Sequence, residues 1–356
     1  MKPTTQTRLY TGESAYAGID VHKRTYSVVV RVNQTEVKRW TTSAVPEKLG
    51  QQLHKFFPEA EIHSAYEAGF SGFGLHRQLQ QQGIKNIVVH AAAIEIAANN
   101  RVKTDKRDAR KIAEQLEAGR LRGIRIPSVE QEQARLLSRT RSQLVRQRTR
   151  SQNCIRMKAH QFGLIAPSDR RRMTHSMVAQ LLEQCESEEF ACSVKSHQQV
   201  WKALDQEISK LEARMTVQAA ADPYEQTYRS APGIGPISAR ILANELGDLC
   251  QFANERQLFS YTGLTPAEYS SGENTRRGSI TKQGNTQVRG ILIEVAWRAI
   301  KQDPSLKAFF ERVKARRGSK RAIVAVARKL IGRIRAAFRE QVMYDIEEVE
   351  EVDTVA

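Results

Sequence analysis

The first hundred residues alternate between β-rich and helical patterning. AGIDVHKRTYSVVVRV (17–32) is two apolar, β-branched runs with a polar break at residues 22–24, which predicts two strands joined by a hairpin. VKRWTTSA (37–44) continues the meander as a third strand. PEKLGQQLHKFF (46–57) reads as a helix, with Pro46 suited to its first turn. EIHSAYEAG (61–69) is strand then loop, and SGFGLHRQLQQQG (71–83) is a short helix with Ser71 as N-cap and Gly83 as stop. KNIVVHAA (85–92) adds a strand before a long helical stretch that carries KTDKRDARKIAEQLEAGRL. Three antiparallel strands followed by helix, strand, helix, strand, helix is the order of a ribonuclease-H-like α/β domain, expected over 13–125.

The pattern then becomes helical. Across 126–222 glycine nearly vanishes, and Trp201, Leu204, Ile208, Leu211 and Met215 step by three and four residues. That spacing is an a/d seam, readable as a short coiled coil or as one face of a bundle helix. RTRSQLVRQRTRSQNCIRMK (139–158) is helical and strongly basic, which suits phosphate contact. A mostly helical C-terminal domain is expected over 223–342. Its PGIGPISA resembles a helix-hairpin-helix turn, in which Gly233 and Gly235 lead into a helix N-terminus able to hold a phosphate. Residues 263–290 read as a polar loop rich in Gly, Ser, Thr and base. Residues 318–340 read as a helix that alternates basic and apolar faces, suited to lie on a nucleic-acid backbone or simply amphipathic. An acidic tail, expected to be disordered, covers 343–356.

Charge narrows the partner. The chain of 356 residues carries a net +17, although its last twelve residues hold six acids and no base. Such a balance favours an anionic partner, most often nucleic acid. No apolar run is long enough to span a bilayer, and residues 1–16 carry no apolar signal core, so a cytoplasmic protein is expected. The four cysteines form no CxxC pair, which argues against zinc and against a disulfide framework.

Four acids then stand out. Asp20 lies at the end of the first strand, and Glu67 ends the strand SAYE. Asp105 and Asp108 are three apart at a helix start, with Thr104 as the expected N-cap and Lys103 and Arg107 among the surrounding bases. In a ribonuclease-H-like domain these elements meet at one edge. Clustered carboxylates repel one another without a cation, and hard oxygen ligands suit Mg²⁺ or Mn²⁺, which bridge to phosphates. The plain alternative is a set of salt bridges on a solvated helix.

GIDVHK, YEAG and KTDKRDARKIAE resemble the D-E-D-D motifs of the RuvC-like domain in bacterial DEDD insertion-sequence transposases, a group also called bridge-RNA-guided recombinases. PGIGPISARILANELGD, FSYTGLTP and YSSG…RRGSITKQGN…VRG resemble that group's C-terminal transposase domain. The resemblance implies that Asp20, Glu67, Asp105 and Asp108 bind divalent metal, and that the serine directly before the YSSG glycine, Ser271, is the nucleophile, with Ser270 beside it. It further implies a covalent protein–DNA intermediate, double-stranded element-end and target DNA as substrates, and a noncoding guide RNA. Arg276, Arg277, Lys282 and Arg289 are placed to neutralise phosphate. Serine and acids fall in different domains, so the domains fold together or subunits share the site. A homo-oligomer, dimer or tetramer, is expected, with the central helices suited to assembly. Two other readings stand beside this one: a metal-dependent junction nuclease that uses water, and a non-catalytic nucleic-acid-binding protein.

Overall fold

The computed structural model describes residues 8–95, 105–271 and 274–346. The chain forms two compact units, Met1–Pro127 and Ser128–Ala356. The first is mixed α/β and the second is mostly helical.

In the first unit, β1 (Ser14–Val21), β2 (Thr25–Val32) and β3 (Thr35–Ser43) form the antiparallel meander. Helix α1 (Pro46–Phe56) leads to β4 (Glu61–Glu67), which pairs parallel to β1. Helix α2 (Gly74–Gln81) leads to β5 (Lys85–Val89), parallel to β4. The sheet order is β3-β2-β1-β4-β5. Pro46 begins α1 as expected, but α2 starts three residues later than Ser71, with Phe73 at its N-cap and no side-chain cap.

The two sheet faces differ. Ala15, Ala17, Ile19, Val28 and Val30 pack with Leu49, Leu53, Leu75 and Leu79 of α1 and α2. The alternate residues face α3 (Asp105–Glu117): Val29 packs on Ala109 and Ala113, and Ala65 on Ile112. Gly18 is where this helix meets the sheet. A Cβ on Gly18 would lie 2.0 Å from the Ala109 carbonyl oxygen and 2.4 Å from the Ala113 nitrogen, so no other residue permits this approach. Arg31 pins the far end of α3 through Glu117 at 2.7 Å and Glu114 at 3.5 Å.

In the second unit, α4 (Val129–Gln161) and α6 (Glu188–Ala220) run antiparallel, with α5 (His175–Gln184) between them in sequence. Phe190, Val194, Trp201, Ile208 and Met215 are the buried residues of α6. The predicted seam therefore closes within the chain, against α4. Ion pairs flank it, Arg141 with Glu212 and Arg148 with Asp205. These two cations of the 139–158 arm, with Arg139 below, thus serve the helix pair and its neighbours.

Helices α7 (Glu225–Ser230), α8 (Pro236–Leu246) and α9 (Glu255–Thr262) precede a two-stranded hairpin, β6 (Pro266–Ser271) and β7 (Asn274–Ile280). The sequence reading made this stretch a polar loop. The pairing of Glu268 with Arg277 and Tyr269 with Arg276 corrects it to antiparallel strands. Helices α10 (Thr286–Ala299), α11 (Pro304–Arg317) and α12 (Ser319–Glu340) complete the unit. Helix α12 buries Ile323, Val326, Leu330, Ile331 and Ile334 in the core, so one face is structural and the other faces outward. Within the expected acidic tail, Tyr344 is buried and donates to Asp303 Oδ2 at 2.8 Å, and its backbone N–H donates to Ser230. Residues 347–356 lie outside the described set. No helix among the described residues is long and apolar enough to cross a membrane.

Candidate active site

The parallel register of β1 and β4 runs from Ser14 against Glu61 to Ile19 against Tyr66. Asp20 and Glu67 are the next residue on each strand, side by side, Glu67 as the last of β4 and Asp20 one before the last of β1. Residues of a strand alternate faces, so Asp20 shares the face of Gly18 and Glu67 that of Ala65, which is the α3 face. Asp108 immediately precedes Ala109, the residue whose carbonyl crowds Gly18. The α3 crossing thus brings Asp20, Glu67 and the first turn of α3 to one sheet edge. Asp105 is the first residue of α3, and its side chain lies outside the described set.

Each described acid has a basic side chain or solvent beside it. Asp20 Oδ2 is 3.2 Å from His22 Nε2. Asp108 Oδ1 is 3.5 Å from Lys111 Nζ. Glu67 is exposed, and Phe70, three residues on, is 72% exposed. The donor set is carboxylate oxygen, which fits a hard divalent cation. Among the described residues no three His, Cys, Asp or Glu side chains stand close enough to hold an ion together. Arg107 is exposed on the same turn, and Lys103 and Thr104 lie outside the described residues.

In the second unit, Ser271 ends β6 opposite Asn274, at the hairpin tip, with Ser270 opposite Thr275. The side chains of Ser270, Ser271, Arg276 and Arg277 are outside the described set. The hairpin emerges from a braced base. Glu245, fully buried, takes Arg139 through two bonds at 2.7 and 2.9 Å and Asn285 at 2.7 Å. Arg135 donates to the carbonyls of Asn244 and Glu245. Because Asn285 also caps α10, this network fixes α4 and α8 to the start of α10, beyond the loop that follows β7. It also pushes the Arg139 guanidinium above its usual range through its bonds to Glu245.

The glycines and cations singled out in the sequence divide by role. Gly233 has φ +76°, and its N–H donates to Gln302 Oε1 at 2.6 Å. A Cβ there would lie 2.8 Å from the Ala299 nitrogen and the Val295 oxygen, so this glycine seats the turn against α10. Gly235 is the N-cap of α8, without a side-chain cap. Arg289 donates to the Thr262 carbonyl and to Thr286 Oγ1, both at 3.2 Å, which ties α10 to the end of α9. Lys282 is exposed beyond β7. Arg317, just ahead of the basic helix read in the sequence, and Lys320 and Arg321 within that helix stand exposed around the turn from α11 to α12. All three fall in the run RRGSKR (316–321).

Comparison with known proteins shows what the chain is similar to. A family model described as Transposase, of the DEDD type of IS110, matches residues 17–162. A second, described as Transposase IS116/IS110/IS902 family, matches residues 225–311. A Sinorhizobium fredii protein named as the transposase y4qE is 31% identical over 290 residues, covering 80% of this chain and 71% of its own length. Another from that organism, y4rJ, is 31% identical over 78% of this chain and 76% of its own. The transposase for insertion sequence element IS1111A of Coxiella burnetii is 31% identical over 64% of each.

Proposed function

The chain belongs to the IS110/IS116 family of insertion-sequence transposases, and from that membership we propose that it cuts and rejoins DNA with two sets of residues. Asp20, Glu67, Asp105 and Asp108 form the acidic set. Ser271 is the nucleophile. The observation that supports the reading is the close crossing of α3 over Gly18, with the start of α3 next to the ends of β1 and β4 that carry Asp20 and Glu67. The strand order β3-β2-β1-β4-β5, with its antiparallel meander and parallel outer strands, supports a ribonuclease-H-like fold for this unit.

The acids would hold Mg²⁺ or Mn²⁺, which when bound polarises a phosphate and steadies the departing oxygen. Attack by Ser271 Oγ forms an O–P bond and breaks one P–O bond to a sugar. The serine hydroxyl proton is released, and the departing sugar oxygen takes one up, so the strand stays attached to the protein until a second sugar hydroxyl reverses the step. Arg276, Arg277 and Lys282 would offset the charge of the phosphate under attack. Phe70, exposed three residues after Glu67, would offer an unpaired base a stacking surface. A noncoding RNA encoded by the element would pair with donor and target DNA, leaving the protein to hold backbone. The net +17 supports that division.

The test is cleavage of element-end DNA by the full chain purified with its bound RNA. Asp20→Asn and Asp108→Asn are expected to lose at least ~100-fold in cleavage rate at unchanged melting temperature, since each removes a charge that metal ligation needs. Full cleavage in both variants sinks the acidic set. A heterogeneous RNA population in place of one discrete species sinks the guide.

A further inference from the structure

A cleft of about 1120 Å³ opens in the second unit between the base of the hairpin and the outward face of α12. Five cations line it: Lys282 after β7, Arg317 at the end of α11, and Lys320, Arg321 and Arg328 on α12. No acid among the described residues lines it. Its floor is apolar, from Pro266, Ile280 and Val324. Among the described residues, Lys282, Arg317, Lys320 and Arg321 form no ion pair, although most other arginines of this unit's interior do. Arg328 is held over the Phe259 ring, 4.5 Å from its centroid, which fixes its stem.

Unpaired cations crowded around one concavity repel one another, and an anion relieves that cost. One phosphate would leave most of this charge unmatched, whereas a run of phosphates matches it. We propose that this cleft is a docking site for the phosphate backbone of DNA, which it holds so that the strand reaches the hairpin tip. The proposal rests on the reading of Ser271 as nucleophile. From Ile280 at the base to Asn274 at the tip, six residues of strand span about 20 Å. That is about six base steps of duplex at 3.4 Å per step. A backbone gripped in the cleft is thus anchored roughly half a helical turn from the phosphate that Ser271 attacks. The cleft therefore sets register along the strand and takes no part in bond breaking.

The test measures binding alone, so it stands apart from cleavage. Full-length Ser271→Ala protein binds a labelled 30-base-pair DNA duplex, and separately an RNA of the same length, across a salt series. Lys320→Ala with Arg321→Ala is expected to lower the slope of log affinity against log salt by about two and to weaken DNA binding about tenfold or more near 0.1 M salt. Both residues are exposed, so the melting temperature should not move. Lys320→Arg with Arg321→Lys keeps the charge and should restore the slope. An unchanged slope on DNA overturns the inference, as does a slope that falls on RNA alone. If cleavage by the wild type proves not to need Ser271 while the DNA slope still falls, the function reading fails and the docking site stands.

Discussion

Gly18 is the residue on which the acidic edge depends. The α3 backbone fills the place of its side chain, so Gly18→Ala must push the helix outward. Overpacking of this kind costs about 1–3 kcal/mol, and here it also moves Asp108 relative to Asp20. The expected outcome is a lower urea midpoint together with lost cleavage, and an unchanged midpoint would show that α3 sits elsewhere. Glu245 is a second such residue. Glu245→Ala removes the acceptor of Arg139 and Asn285 and is expected to cost about 1–3 kcal/mol by chemical denaturation. Glu225 gives a pH signature. Burial pushes its carboxyl above the ordinary 4.5, Arg240 opposes that, and Asp222 adds to it. Neither carboxyl oxygen accepts a hydrogen bond among the described residues, although Arg240 Nη1 is 3.4 Å away. The folded state therefore binds this proton more tightly than the unfolded chain. Its contribution to stability is present in acid and declines as pH rises above about 4.5. Glu225→Gln should flatten that decline in a series of urea midpoints from pH 4.5 to 7, and an unaltered slope would refute the assignment.

At the scale of elements, the sequence showed most of the first unit and less of the second. Strands β1 to β5 were legible because apolar runs and turn residues alternate there, and each strand packs within its own unit. The places of the four acids, near strand ends and at a helix start, were legible, but that of Gly18 was not, because only the crossing of α3 gives that glycine a reason. The β6–β7 hairpin was hidden by its polar residues. SSGENTRR lacks the apolar alternation that marks a strand, and the pairing shows only in the backbone register. The seam on α6 was visible as a period, but period alone cannot say whether its partner lies within the chain. Trp201 settles this residue's allegiance: it is 4% exposed and stacks on His175 at 3.9 Å between ring centres. Trp201→Ala is expected to cost about 3–5 kcal/mol and to lower the helical circular dichroism of the isolated chain as α4 and α6 part. A loss confined to high protein concentration would instead place the seam between subunits.

At the scale of the whole molecule, the proposed reaction draws on residues of both units. The α/β unit contains the four acids, and the helical unit contains the hairpin that carries Ser271. The central claim is that Ser271 takes the DNA strand in covalent linkage. The most direct measurement is mass spectrometry of the protein after reaction with element-end DNA and nuclease trimming. Cleavage after Arg256 and Arg276 by trypsin yields a peptide that contains Ser260, Ser270 and Ser271. The account predicts a nucleotide adduct on that peptide, fragmenting to Ser271. Cut DNA with no adduct, or an adduct that maps to another residue, contradicts it.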